Sequence, residues 1–154
     1  MKKIMIVSIA IFSAVFASCG SSESLPSFSE LTAQGKTPIE YIAMTKSSYI
    51  DKPAFEVSLK NATSDSIISF DYSMVLFDDS GMFVSYEDKN FGGNNVTAPG
   101  EQFSILVKMD NEATTVKFLL KSVSWKEASS GGLFKWENPA YDEALRQFRL
   151  KGIQ

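Results

Sequence analysis

From Ile67 to Gly81 the chain reads Ile-Ile-Ser-Phe-Asp-Tyr-Ser-Met-Val-Leu-Phe-Asp-Asp-Ser-Gly. Ile68, Phe70, Tyr72, Met74 and Leu76 fall on one parity, while Ser69, Asp71 and Ser73 fall on the other. A period of two sustained over this length describes a β-strand with one face in a core and the other towards water. The Asp78-Asp79-Ser80-Gly81 that follows is turn chemistry, because Asp and Ser bond locally to the backbone and Gly accepts positive φ. The stretch is therefore expected to be a central strand of an antiparallel sandwich, its outward Ser69, Asp71 and Ser73 plainly solvated.

Other segments repeat the pattern. Phe55, Val57 and Leu59 alternate with Glu56, Ser58 and Lys60, and a polar Asn61–Ser66 connection follows. Two such strands around a short turn-rich loop make a hairpin or a sandwich corner. Phe83-Val84-Ser85-Tyr86 reads as a short edge strand, ahead of the charged Glu87-Asp88-Lys89 and a Gly92-Gly93-Asn94-Asn95 loop. After the Ala98-Pro99-Gly100-Glu101 turn, Phe103, Ile105, Val107 and Met109 share a face, and Asp110-Asn111-Glu112 turns the chain again. Val116, Phe118 and Leu120 then share one parity, with Leu119, Val123 and Trp125 on the other. That strand is apolar on both sides in places, so something should cover its outer face. Thr37-Pro38-Ile39-Glu40 fits a capping box with Pro at the first helical position, yet Tyr41-Ile42-Ala43-Met44-Thr45 suits a strand equally well. The expectation is strand, since the rest of the domain needs a partner for it.

The chain should close on an amphipathic helix over residues 138–152. Asn138 can cap it, Pro139 suits the first position, and Tyr141, Ala144, Leu145 and Phe148 form one apolar stripe. Asp142 and Glu143 come early and Arg146, Arg149 and Lys151 late, matching the helix dipole. About twelve residues is marginal for an isolated helix, so the stripe must dock, and the patch near Leu119 and Trp125 is the expected seat.

The first residues belong to another category. Lys2 and Lys3 precede an almost unbroken apolar run from Ile4 to Ala17, which closes on Ala17 and Ser18. That is the layout of a secretory signal over residues 1–18, too short and wrongly flanked for a membrane span. The sole cysteine of the 154 residues, Cys19, follows directly. Phe16-Ala17-Ser18-Cys19 resembles a bacterial lipobox, with Phe16 where Leu is usual, a departure tolerated best in the Bacteroidetes. The resemblance implies that Cys19 becomes the lipidated N-terminus of an exported protein anchored in the cell envelope, with the outer membrane preferred. Each buried CH₂ contributes about 0.8 kcal/mol, so two or more acyl chains hold durably. Residues 19–36 are Ser-rich with few core formers, apart from a single helical turn's worth around Phe28 and Leu31. They read as a flexible tether, about 55 Å if fully extended and nearer about 20–25 Å as a coil. The sandwich domain proper is expected over residues 37–137.

The middle of the chain, roughly residues 40–127, is similar to FxLYD-type domains, which are small immunoglobulin-like β-sandwiches of secreted and lipid-anchored bacterial proteins. Phe55–Asn61, the Ser-Asp-Ser-Ile-Ile after it, Val75–Gly81 and Ala98–Glu101 carry the likeness. The naming motif stands here as Met74-Val75-Leu76-Phe77-Asp78. The expected fold is thus all-β, an antiparallel immunoglobulin-like β-sandwich with a C-terminal amphipathic helix. The resemblance carries no catalytic residues with it, and a fold shared by many functions licenses no activity.

Composition narrows the chemistry. There is no histidine, and the one cysteine is assigned to lipid, which removes Ser-His and Cys-His nucleophilic systems. Zinc sites ordinarily draw on several Cys or His ligands, and no glycine-rich phosphate loop stands between a strand and a helix, so neither metal nor cofactor is expected. The chain beyond the leader carries 13 basic and 18 acidic residues, net −5, which gives no electrostatic footprint for nucleic acid or anionic lipid. Asp78-Asp79-Ser80-Gly81 lacks the alternating acids and later Glu of a calcium loop. Glu87 and Asp88 could serve a glycosidase only if set opposite a second carboxylate across a cleft. Phe134, Trp136 and Tyr86, around the Ser129-Ser130-Gly131-Gly132 break, are candidates for an aromatic binding surface. Asp65-Ser66-Ile67 resembles the short O-glycosylation motif of exported Bacteroidetes proteins and marks Ser66. Asn61-Ala62-Thr63 and Asn95-Val96-Thr97 fit the eukaryotic N-glycosylation pattern, which a lipobox argues against. The functional expectation is a non-enzymatic envelope lipoprotein whose surface or edge strand binds another protein, the alternative being a glycan- or small-ligand-binding module or an envelope inhibitor.

Overall fold

A computed structural model describes residues 24–50, 52–92, 96–109 and 115–153. The leader and Cys19, most of the 92–95 loop with its Asn95 sequon, and the Asp110-Asn111-Glu112 turn lie outside the described residues. The chain is an antiparallel β-sandwich closed by a C-terminal helix, as the alternation implied. Its elements are α1 (Phe28–Ala33), β1 (Ile39–Tyr49), β2 (Lys52–Asn61), β3 (Ser66–Phe77), β4 (Phe83–Phe91), β5 (Gln102–Lys108), β6 (Thr115–Lys126), β7 (Leu133–Glu137) and α2 (Tyr141–Lys151). One sheet has three strands in the order β1-β2-β5 and the other four in the order β4-β3-β6-β7. Hairpins join β1 to β2, β3 to β4 and β6 to β7. The remaining connections cross between the sheets, which is the immunoglobulin-like arrangement. Residues 39–49 are strand, not helix.

The inner faces meet as the period-two pattern requires. Val57, Leu59, Phe70, Met74, Leu76 and Val123 are essentially solvent-free. Each such side chain contributes about 1.5–3 kcal/mol by leaving water. A ladder of rings, Phe70 against Phe91 at 4.8 Å and Tyr72 against Phe118 at 5.1 Å, fills the space between the sheets.

Two register shifts between β3 and β6 rearrange the expected faces. Ile68 is skipped in the pairing, so Ile67 enters the core in its place and bridges Thr97. On β6 the extra residue is Lys121, since Asp71 pairs with Ser122 and Tyr72 with Leu120. An inserted residue flips everything beyond it to the opposite face. Val123 and Trp125 therefore join Val116 and Leu120 in the main core, and only Leu119 stays outside.

The outer face of the four-stranded sheet is not plain solvent coating. α2 lies across it, packing Tyr141, Leu145 and Phe148 on Val75, Phe77, Phe83 and Leu119. The expected docking at Leu119 holds and the one at Trp125 does not. Ser73, expected in water, is fully buried beneath this helix. α2 begins at Tyr141 rather than at 138, because Asn138 is engaged elsewhere. Its backbone N–H donates to Lys121 O (2.8 Å), and its side chain donates to Leu120 O (2.8 Å) while accepting from Ala140 N (3.0 Å). At the other end Ile153 N donates to Gly81 O at 2.9 Å. A Cβ on Gly152, whose φ is +67°, would collide with that same carbonyl.

Residues 19–36 are not all tether. Ser27 and Glu30 form a reciprocal capping box, with Ser27 N donating to Glu30 Oε2 (2.7 Å) and Glu30 N to Ser27 Oγ (3.3 Å). Six residues cannot hold a helix unaided, so α1 depends on what it covers. Phe28 is completely buried, stacked on Trp125 at 3.7 Å and edge-on to Trp136 at 6.1 Å. Its N–H donates to Asp65 Oδ2 and that of Ala128 to Asp65 Oδ1, both at 2.8 Å. One buried carboxylate thus ties α1 to the loops at one end of the sandwich, and the domain begins at least ten residues earlier than the composition suggests.

Candidate interaction surfaces

The aromatic residues singled out in the sequence do not form one surface. β4 and β7 are opposite edges of the same sheet. Tyr86 pairs with Val75 on the α2 side and lies 5.2 Å beneath the Arg149 guanidinium. Trp136 pairs with Val123 on the inner side and packs on Phe28. Phe134 stacks on Trp125 at 5.4 Å and remains 47% exposed. Phe134 and Trp136 are thus chiefly the lateral wall of the core next to α1. The Trp125 Nε1–H between these rings has no acceptor among the described residues.

Other candidates resolve into structure. Asp78 Oδ1 accepts from Ser80 N (2.9 Å), Ser80 Oγ (2.7 Å) and Met82 N (2.9 Å). The Ser80 hydroxyl first, then the Met82 N–H, holds its carboxyl below the usual range. This is a self-bonded turn. Glu87 pairs with Met74 and Asp88 with Ser73, so the adjacent carboxylates point to opposite faces and cannot flank one bond. Asn61 is fully buried, its Nδ2 donating to Asp65 O (2.8 Å) and Ala98 O (3.0 Å) and its Oδ1 accepting from Thr63. That leaves the Asn61 sequon no free amide in the folded domain. Ser66 opens β3 opposite Lys126, half-buried, beside an Asp65 carboxylate already committed to two backbone amides. Among the described residues no group of three Asp, Glu, His or Cys side chains is placed to hold a metal, and no helix is long and apolar enough to cross a membrane.

A polar network on the outer face escaped the sequence reading. Ser73 Oγ donates to Asp88 Oδ1 and accepts from the Tyr141 hydroxyl at 2.6 Å. Lys121 Nζ stands 3.5 Å from Asp88 Oδ2 and over the Tyr141 ring at 5.4 Å. Alongside, Asp71 accepts from Ser122 Oγ and Asn90 Nδ2, both at 2.7 Å. The Ser122 hydroxyl is the main reason its carboxyl is held below the usual range. Lys121, Lys135, Glu137, Asn138 and Asp142 complete a small cleft of about 160 Å³. Burial pushes the Tyr141 hydroxyl up, and that of Tyr72 up to about 12, away from neutrality. Asp71 ties Ser122 of β6 to Asn90 of β4 within the sheet, while Ser73, Asp88 and Tyr141 bond to one another at the helix start and seat α2. The signal that could have found it was the helix stripe itself, because Tyr141 brings a hydroxyl under the helix and needs a partner there.

The strand edges differ. β7 has five residues carrying Lys135 and Glu137, and β4 bears Glu87, Asp88 and Lys89. Such charges blunt an edge. β1 runs eleven residues with only Glu40 and Lys46 charged, and is exposed along nearly its whole length, including Tyr41, Ile42 and Tyr49. Its register shift between Tyr41 and Ala43 leaves Ala43–Tyr49 as a regular free edge. β6 pairs with β3 from Thr115 to Lys126, but β7 covers only Ser122–Lys126 of its other side. Among the described residues no strand pairs with that side of Thr115–Leu119. Phe118, facing inward there, lies 6.3 Å from the half-exposed Tyr41 ring of β1. On the outward side a groove of about 390 Å³ runs past Lys117, Phe148, Lys151 and Ile153.

No protein-family model matches the chain, and no curated protein matches it. A crystal structure of a hypothetical protein from Peptoclostridium difficile 630 is similar in fold, with a TM-score of 0.63 at 11% sequence identity over 77% of this chain and 95% of that one. At that identity the likeness concerns the fold alone.

Proposed function

We propose that this chain is a non-enzymatic envelope lipoprotein of the FxLYD type, held on a membrane through Cys19 and presenting its sandwich to another protein. The observation that carries the reading is free strand edge. Ala43–Tyr49 of β1, Thr115–Leu119 of β6 and the outer side of β5 pair with no strand among the described residues, and each carries a single charged residue, Lys46, Lys117 and Lys108. A free edge is a row of backbone donors and acceptors that binds extended chain, unless charge or cover prevents it. The lipobox-like Phe16-Ala17-Ser18-Cys19 supports the anchor. The segment between Cys19 and Ser27 sets the standoff from the lipid surface, and it is shorter than residues 19–36 would give.

Two measurements test this. Intact mass of the protein from its native cells should show a diacyl or triacyl adduct beginning at residue 19, and Cys19→Ser should move the chain from the detergent phase to the aqueous phase. Photo-crosslinkers at Thr45 and Lys117 should each yield a discrete protein adduct in intact cells. A chain lacking lipid, or one that retains only glycan, sinks the reading.

A further inference from the structure

We infer that the open half of β6 is the receiving edge for an acidic, alternating extended segment of a partner protein, which would lie in the place β7 leaves empty beside Thr115–Leu119. The inference rests on the interaction reading above and names its edge and the chemistry of its occupant.

Three observations converge. First, β7 and α1 close only one end of this flank: β7 stops at Ser122, and the Asn138 N–H adds a last bond to Lys121 O at 2.8 Å. Beyond it, among the described residues, Thr115–Leu119 of β6 pairs with β3 on one side only. A strand placed there would extend the four-stranded sheet and satisfy β6 backbone groups that now face outward. Second, side chains of such a strand alternate between faces, and each face offers an apolar seat. Inward lie Phe118 and Tyr41, 6.3 Å apart and incompletely covered. Outward lies the groove floored by Phe148 and Ile153. β1 and β5 offer free edges too. Along Ala43–Tyr49, however, most side chains on both faces are solvated, and the groove of about 510 Å³ beside Glu40 and Tyr41 lies before that stretch. The outward side chains of β5 are solvated as well. Third, the groove is flanked by Lys117 and Lys151 and has no carboxylate among its described lining residues, in a chain that is net acidic overall. Both lysines are exposed, and complementary charge selects acidic residues on the incoming strand.

The test uses the mature chain and a capped nonapeptide alternating valine and glutamate. Its controls are an alternating valine–lysine peptide and the valine–glutamate peptide N-methylated at its centre, which loses one backbone donor. Binding is read by fluorescence anisotropy and mapped by amide hydrogen exchange. The acidic peptide should bind, slow exchange within Thr115–Leu119, and lose about tenfold in affinity on N-methylation, equivalent to about 1.4 kcal/mol. Lys117→Glu with Lys151→Glu, at two exposed sites that leave the fold intact, should reverse the preference between the acidic and basic peptides. Protection appearing at Ala43–Tyr49 instead overturns this assignment and leaves the broader reading standing. A self-association in sedimentation that protects Thr115–Leu119 makes a second copy the occupant and overturns it as well. Absence of binding, or binding indifferent to N-methylation and to the lysine reversals, also overturns it. If a protein adduct still forms in intact cells, only the edge was misassigned; if none forms, the interaction reading falls too.

Discussion

The four-stranded sheet presents two faces that are covered in different ways. Its inner face meets a second sheet and a short helix, and Phe70, Met74, Leu76 and Val123 disappear entirely among apolar neighbours. Its outer face is covered, among the described residues, by α2 and the Ile153 that follows it, through Tyr141, Leu145 and Phe148, with a hydrogen-bonded group of Ser73, Asp88 and Tyr141 at the helix start. The inner face is held by area. The outer face is held by a small apolar contact that polar bonds position. Apolar burial scales with area and does not depend on direction. A buried hydrogen bond adds little net energy but is costly to leave half-made. Loss of one contact should therefore cost more inside than outside, and the outer face should respond to smaller chemical changes.

The largest effect is expected at Phe28, the ring stacked on Trp125 at 3.7 Å. Phe28→Ala should lower the unfolding free energy by about 3–5 kcal/mol, read from the urea midpoint at unchanged slope. A loss under about 1 kcal/mol would return α1 to the tether and erase half of the contrast between the faces. Next comes the helix seat. Leu145→Ala should cost about 2–3 kcal/mol, and Tyr141→Phe about 1 kcal/mol by stranding one side of Ser73. If Tyr141→Phe cost as much as Leu145→Ala, the outer face would be held by its polar bonds and not by its apolar contact.

The smallest effect concerns pH at Asp71. Its carboxyl is held below the ordinary range, chiefly by the Ser122 hydroxyl. A depressed pKa in the folded state stabilises the fold above the carboxyl's unfolded value, and that stability is lost as pH falls through the folded value. Asp71→Asn should therefore flatten a shallow acid-side slope in stability by slightly lowering stability at neutral pH, while variant and parent converge in acid. A slope identical in variant and parent would place the acid dependence elsewhere.

Much of this architecture is legible in the chain. Alternation in Phe55–Lys60, Phe70–Leu76 and Phe103–Val107 named strands and their buried faces correctly, because a half-buried strand writes its period directly into side-chain polarity. The stripe Tyr141–Phe148 named a docked helix for the same reason. The Asp78–Gly81 turn was visible because its bonds are local. The open strand edges were not legible. An open edge is defined by the strand that fails to pair with it, and where β7 stops relative to β6 has no local signature.

The sequence by itself therefore determined the class of fold, the identity of most strands and the need for a helix on the outside, all of which follow from short-range periodicity. Only the tertiary structure decided which side Val123 and Trp125 face, because one unpaired residue at Lys121 reverses parity without altering composition. It alone drew Phe28 out of a Ser-rich stretch and into the core, since a six-residue helix is stable only against partners far away in the chain, here Asp65 and Trp125. And it alone turned Ser73 from an expected surface residue into a buried one. The burial of a strand's second face is set by what crosses it, and that helix lies almost seventy residues further on.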